Sequence, residues 1–504
     1  LKIKKAFNRS IIDNGILSSL SVSFIAYYLY SKKLITWIAY YLYSKKLITW
    51  QFLYPQKFMS SKNYVGGFGD YKSSYKDEVD YASAYGLAAV DFEERINMDR
   101  LRRGRLERAR QKLFKEKGLG SFLSLDEKNT TYITSTYRPF WTMPSSGLRY
   151  SLLVSTSDFP ILYEQGDIGF HTKRMAPWIP EANIKYAITG ASWIGTAMGK
   201  EAHEAQLKKM VKQIKEDLKE HKVDKEPLGI DYYDEALINS LRAEGISVEY
   251  SKAVEAMVNA RMIKIKEEIA LLKIASMIGD AIFQTIAKEL RAGITENEIL
   301  ASAFYTAYKL GAEVWNGMFV TSGPYTWPNL RATTGRIIRP GDVVYFDTYN
   351  MAYLGYRTCY YRTFFVGRAP ISIKDAYQRA YDWLYEGIRA IRPGVTTKDI
   401  AEKWPPGPDV WGWYGVKNED MTAGNNWAHG IGLSLYEPPV AWRAVSLDYP
   451  VRIEPGMTFA IETQEGDKDT RQGVRIEEML VVTEAGVEII TKWPVEEITE
   501  VPLR

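Results

Sequence analysis

Between residues 91 and 252 the apolar positions switch repeatedly between a helical and an extended period. The segment "DFEERINMDRLRRGRLERARQKLFKEKGLGSF" (91–122) predicts a charged helix closed by Gly118 and Gly120, leading into a strand at "TTYIT" (130–134). "YSLLVS" and "PILYEQG" predict a strand pair, and "KYAITG" a further strand. Leu207, Met210, Val211, Ile214 and Leu218 fall on one face of an amphipathic helix. The mixed-charge run from Lys208 to Lys225 is then that helix's solvated side rather than a binding patch. "LGID", a helix from Glu235 to Glu244 and "ISVEYS" complete a small α/β domain. It contains no glycine-rich phosphate loop and no G-x-S-x-G elbow.

From residue 253 to 504 the pattern repeats itself. After a helix around "IKIKEEIALLKIASMIGDAIF", "GITENEI" (293–299) is echoed by "GVTTKDI" (394–400). Each reads as a helix stop followed by a capping box that opens the next helix. "RPGDVVYFD" (339–347) is echoed in the same order by "EPGMTFAIE" (454–462). In both a Pro-Gly turn launches a strand, and a carboxylate stands seven residues after the proline. Two echoes in one order predict a domain of two similar halves, with Asp347 and Glu462 at equivalent strand positions facing one pocket.

Composition narrows the function. A chain of 504 residues with 46% hydrophobic and 25% charged residues is globular, and too long for a single ordinary core. Its net charge of +4 is spread along the chain and gives no reason to expect nucleic acid. One cysteine, Cys359, excludes an intramolecular disulfide and a cysteine-rich zinc site, and fits a reducing cytoplasm. Of the four histidines only His429 lies in the second half of the chain.

Residues 1–58 stand apart. "IAYYLYSKKLITW" (25–37) recurs unchanged at 38–50, the chain opens on Leu1, and Met59 offers a plausible start ahead of a polar segment, 59–90. The repeat admits three readings: a non-native extended reading frame, an aromatic oligomer-contact arm, or a membrane anchor or uncleaved signal. It therefore carries no weight in the functional reading, and a membrane partner is expected only if the extension is native.

Two further stretches bear on chemistry. "WAHGIGLSLYEPP" sets His429 before Gly-Ile-Gly, where a backbone can approach closely, and "GVRIEEMLVVT" sets an acid inside an apolar strand. Such an acid is costly to bury without a cation or hydrogen-bond donors. Strand alternation puts Glu477, rather than Glu478, on the face of Arg475.

Over residues 91–504 the order of "RTF" (362–364), "HGIG" (429–432), "EPGMTFAIE" and "VRIEE" resembles the pita-bread family of creatinase, aminopeptidase P (prolidase) and methionine aminopeptidase. The resemblance implies an α/β (α+β) fold, with a creatinase-like domain over 91–252 and a pseudo-symmetric catalytic domain over 253–504. Metallopeptidases of the family hold two divalent ions with two aspartates, a histidine and two glutamates. Position by position these look like Asp347, His429, Glu462 and Glu477, while the second aspartate falls on Cys359. The histidine expected before the Pro-Gly turn is absent from "SGPYTWPNLRATTGR", and the second one of the HG-x-G segment is replaced by Tyr436 or its neighbour.

These departures point away from two-ion cleavage of Xaa-Pro peptides. The implied cofactor is at most one divalent or ferric ion, zinc, iron or manganese, with none as the alternative, and with Cys359 as a candidate thiolate ligand. The twelve-residue spacing from Asp347 to Cys359 resembles the dimethylsulfoniopropionate lyase branch. The match is partial, because Tyr349, Leu435 and Tyr436 stand where that branch carries acids. The expectation is an enzyme that hydrolyses or eliminates a C–N or C–S bond of a small polar substrate, with His429, Glu462 and Glu477 as catalytic groups and Asp347 helping them hold substrate or metal. Trp327, Tyr349, Tyr436 and Arg475 are the candidate substrate-binding residues. Trp327, Tyr349, Tyr353, Tyr356, Tyr360, Trp411, Trp413 and Trp427 include enough aromatic surface for a cation-π cage, although core packing is the commoner use of any one of them. The alternatives are an Xaa-Pro aminopeptidase or dipeptidase and an inactive binding or structural subunit. A homodimer or higher homo-oligomer acting on a small molecule in the cytoplasm is expected.

Overall fold

The structure, a computed structural model, describes residues 96–136, 147–166, 168–314, 317–422 and 424–503. The expectations for 1–58 and 59–90, and for the first residues of the helix at 91, lie outside them.

Strands β1 (Ser121–Ser124), β2 (Tyr150–Val154), β3 (Ile161–Glu164), β4 (Ile184–Tyr186), β5 (Leu228–Ile230) and β6 (Val248–Glu249) form a mixed sheet in the order β4-β3-β2-β1-β5-β6. The helix Lys200–Glu220 buries Leu207, Met210, Val211, Ile214 and Leu218 in one core with Leu123, Leu152 and Val154. That is the stripe its periodicity predicts. The strand predicted at "TTYIT" is instead a helix, Glu127–Thr134. Asp126 caps it by accepting from Lys128 N at 3.0 Å, and Thr134 Oγ1 donates back to Thr130 O at 2.7 Å. Burial of Tyr132 and Ile133 overrides the β-propensity of the threonines.

The boundary expected at 252/253 falls inside the helix Ser251–Met262. One core joins Phe122 and Leu153 of the first sheet to Leu271 and Ile278 of the next helix, so the two parts share packing.

Beyond it the chain forms β7 (Glu313–Val314), β8 (Phe319–Ser322), β9 (Val343–Asp347), β10 (Met351–Tyr353), β11 (Tyr356–Arg357) and β12 (Tyr361–Val366). Then come β13 (Trp427–Gly430), β14 (Glu437–Ala441), β15 (Thr458–Asp467), β16 (Gln472–Thr483), β17 (Gly486–Ile489) and β18 (Thr499–Val501). The sheets run β11-β10-β7, β18-β12-β9-β8 and β14-β13-β15-β16-β17.

The echoes in sequence become echoes in structure. Thr295 with Glu298 and Thr396 with Asp399 both form the predicted capping boxes. Gly341 and Gly456, at φ of 83° and 84°, take the left-handed conformation that favours glycine. Gly341 N donates to Val366 O at 2.7 Å and Gly456 N to Val482 O at 2.8 Å, which sets the same register in both halves. Asp347 consequently faces Tyr361 across β9/β12, just as Glu462 faces Glu477 across β15/β16. The helices Lys266–Glu289 and Ile371–Ala390 each pack on their own half: Phe283 meets Phe346 and Phe364, while Tyr377 and Leu384 share a core with Ile461 and Ile476.

Candidate active site

Asp347, Cys359, His429, Glu462, Arg475 and Glu477 are all buried, and strand alternation turns the strand residues among them toward one another. His429 lies on β13, one step along the ladder from the Trp427–Glu462–Glu477 row. Its glycines explain its position: a Cβ on Gly430 would stand 2.3 Å from Pro438 O, and one on Gly432 2.7 Å from Glu437 Oε2. Neither residue admits a side chain without displacing the loop that follows the histidine.

That loop is fixed from an unexpected direction. Glu437 is held by Arg261 Nε at 3.1 Å and Lys264 Nζ at 2.8 Å, and accepts from Ser434 N at 3.1 Å. Sequence reading missed this clamp, because nothing along the chain links groups 173 residues apart.

The carboxylates divide into paired and unpaired. Glu462 is engaged on both oxygens: Arg475 donates to Oε2 through Nε and Nη2, each at 2.8 Å, and Trp427 Nε1 donates to Oε1. Arg475 also donates to Asn329 Oδ1 and Gly424 O, with its guanidinium 4.4 Å from the Tyr361 ring centre. Asp347 accepts from Tyr349 N at 2.9 Å, from the Tyr361 hydroxyl and from the distant Cys359 thiol at 3.9 Å. Burial, and then the Glu462 charge, push its carboxyl up to about 7. Among the described residues no cation pairs with Glu477, whose carboxyl faces the Cys359 thiol. Burial raises its carboxyl well above the carboxylate range, with Glu462 and Asp347 adding to the rise.

His429 Nδ1 lies 2.9 Å from Gly430 O, a pure acceptor, so Nδ1 carries the proton and Nε2 presents a lone pair. Nε2 has no partner and lies 3.9 Å from Glu477 Oε1. Burial lowers the imidazole to about 4, which keeps it neutral. Cys359 completes the group, its thiol raised well above the usual value by burial and by the charges of Asp347, Glu477 and Glu462.

Other predicted residues scatter. Tyr436 is 52% exposed, with its ring centre 4.7 Å from that of His429 and its hydroxyl bonded to Tyr349. Trp327 is not in the group. It packs over Gly466 and Gly473 beside Trp411, about 13 Å along the β15/β16 hairpin from the Glu462–Glu477 pair. Tyr356 and Tyr360 are core residues bonded to Glu268 and Asp280. Only Tyr349, Trp427 and Tyr436 of the expected cage and mouth aromatics stand against the cluster. Arg362 and Glu478 pair with each other at 2.8 Å, which removes Glu478 as a rival to Glu477.

The residues test poorly against a carboxylate-bridged pair of ions. Glu462 is taken by Arg475, and a thiol occupies the second aspartate's position. They fit one ion: His429 Nε2, Glu477 and Cys359 Sγ bring donor atoms within 4.8 Å of one another, and the first two are unpartnered acceptors. With Arg475 charged, the three carboxylates leave a surplus of two negative charges when ionised, which one divalent cation balances.

A duplicated α/β catalytic half behind a smaller mixed-sheet domain, with its site between equivalent strands, is the pita-bread class. Residues 270–484 match the model of metallopeptidase family M24, a span that contains every member of the cluster. The chain is 30% identical over 249 residues to the uncharacterized peptidase YqhT of Bacillus subtilis, covering 49% of this chain and 67% of that protein. It is 25% identical over 274 residues to the dimethylsulfoniopropionate lyase DddP of Roseovarius nubinhibens, covering 52% of this chain and 59% of the lyase. The Xaa-Pro dipeptidase structure from Bacillus anthracis superposes with a TM-score of 0.60 at 22% identity, over 78% of this chain and 99% of that one, a likeness of fold. This chain belongs to metallopeptidase family M24.

Proposed function

We propose that this chain is a non-standard member of its family that hydrolyses or eliminates a C–N or C–S bond of a small polar substrate at a site taking one ion or none. The observation that carries the reading is the double engagement of Glu462 by Arg475 and Trp427, which occupies the carboxylate that two-ion cleavage needs. Its likeness to both peptidases and a sulfonium lyase supports a C–N or C–S target.

With no ion bound, the chain's own residues divide the work by the direction in which burial moves them. Glu477, raised, holds a proton at its carboxyl and gives it to a leaving group. His429, lowered, offers Nε2 as a proton acceptor at neutral pH. Arg475 fixes Glu462 and stops it from rotating into the pocket. The faces of Trp427, Tyr349 and Tyr436 receive a cationic head at the mouth. A divalent ion, when held by Cys359, His429 and Glu477, would supply Lewis-acid polarisation there.

The experiment is metal analysis of the purified chain alongside turnover assays on Xaa-Pro dipeptides and on small ammonium and sulfonium compounds. One ion or fewer per chain with no proline-peptide cleavage is the expected result. Two ions per chain with proline-peptide cleavage overturn the reading and establish the peptidase, which the fold shared with the B. anthracis dipeptidase favours.

A further inference from the structure

Three buried groups able to ligate a metal, Cys359, His429 and Glu477, face one another. The His429 Nε2 lone pair looks at Glu477 Oε1 across 3.9 Å, and the Cys359 thiol is the donor that Glu477 faces. Glu477 is 0% exposed and forms no ion pair with an arginine or lysine among the described residues, whereas the buried Glu462, Glu437 and Glu296 are each met by arginine or lysine. A carboxylate ionised there without a cation is costly in a dry interior, and a metal ion that displaces the Glu477 and Cys359 protons would supply one. Cys359 Sγ closes the third side of the triangle, all three donor atoms lying within 4.8 Å of one another.

We infer that Cys359, His429 and Glu477 form a mononuclear site with a thiolate ligand, suited to zinc or another thiophilic divalent ion. The inference rests on the one-ion form of the reading above and deepens it by assigning sulfur ligation and the kind of ion that a thiolate selects. A sulfur, a nitrogen and an oxygen donor with a fourth direction free is the pattern of catalytic zinc, whereas magnesium, calcium and manganese prefer oxygen throughout. Ligands sharing one tetrahedral zinc stand roughly 3.3–3.6 Å apart, so the triangle closes on an ion by side-chain shifts of under about 1 Å. As the ion arrives the thiol proton leaves to solvent and a sulfur–metal bond takes its place. His429 is already in the ligating tautomer, because Gly430 O holds its Nδ1 proton. Asp347, 3.9 Å from the sulfur, lies just outside the triangle and adds negative charge.

Cys359 is the only thiol in the chain, which makes the test unambiguous. The full-length protein, stripped of metal and titrated with cobalt(II), is expected to bind one equivalent with a sulfur-to-cobalt charge-transfer band. Cys359→Ser is expected to lose that band and to bind cobalt at least tenfold more weakly. Zinc X-ray absorption on the unmodified protein, which needs no variant to fold, is expected to show one sulfur at about 2.3 Å. One bound ion with nitrogen and oxygen neighbours only overturns the thiolate site and leaves the one-ion function standing. Two ions per chain overturn both. No stoichiometric cobalt or zinc overturns the site and leaves only the metal-free acid–base form of the function.

Discussion

The two halves of the catalytic domain pose one physical problem twice and solve it differently. Asp347 and Glu462 occupy equivalent positions, each seven residues after a proline and each opposite the corresponding residue of its partner strand, Tyr361 or Glu477. Two residues before that partner the first half carries Cys359 and the second Arg475. Glu462 therefore meets a guanidinium, while Asp347 meets only neutral donors, a thiol, the Tyr361 hydroxyl and one backbone N–H. The histidine differs too: His429 on β13 corresponds to Thr321 on β8, whose hydroxyl donates to Arg331 O. Duplication set the frame, and divergence at a few inward positions gave Glu462 its cation and left Asp347 and Glu477 without one. A site for a cation is the remainder of that asymmetry.

The comparison breaks most visibly at Arg475. Arg475→Ala leaves Glu462 buried without its cation and is expected to cost about 3–5 kcal/mol in urea unfolding. Loss of less than about 1 kcal/mol would mean that the halves are not electrostatically different. Next in size, His429→Ala is expected to weaken cobalt binding roughly 100-fold, whereas Thr321→Ala, its counterpart, leaves the affinity within about threefold. Competition titration with a chelator reads both.

Asp231 provides a control outside both halves, since neutral donors alone meet it: Ser124 Oγ at 2.7 Å, Leu125 N at 2.9 Å and Asn129 Nδ2 at 2.8 Å. Burial, with Asp126 adding to it, raises its carboxyl from 3.8 to about 6. The folded state then keeps a proton that the unfolded chain has released between pH 4 and 6. Its contribution to stability is present below about pH 4 and is lost as pH rises through about 6. Because the residue is partly exposed, roughly 1–2 kcal/mol is expected. Urea midpoints from pH 4 to 7 should fall less steeply for Asp231→Asn than for the parent. An unchanged slope would show that neutral donors fully hold a buried carboxylate here, and would weaken the case that Asp347 wants a cation. Smallest of all, Cys359→Ala in metal-free protein is expected to cost about 1 kcal/mol or less, since the thiol holds nothing in place. A cost comparable to that of Arg475→Ala would make the thiol a structural partner.

Much of the site was legible because its signals are local. A capping box spans four residues, a Pro-Gly turn two, and strand alternation alone separates Glu477 from Glu478. Local signals also mislead: "TTYIT" carries β-branched residues, yet Asp126 and the burial of Tyr132 make it a helix. Trp327 looked like pocket aromatic surface until the loop carrying it folded over the glycines at the far end of the hairpin.

The sequence alone determined the duplicated frame, the inward direction of Asp347, His429, Glu462 and Glu477, and the cysteine standing in an aspartate's place, since each depends on spacing along a strand or turn. Only the tertiary structure decided that Arg475 belongs to Glu462, that Lys264 and Arg261 hold the loop after the histidine, and that Glu477 and the His429 lone pair are left facing each other. Those are questions of which charges meet across distant strands. They are settled by burial, where an unmet charge is costly and a met one is silent in the sequence.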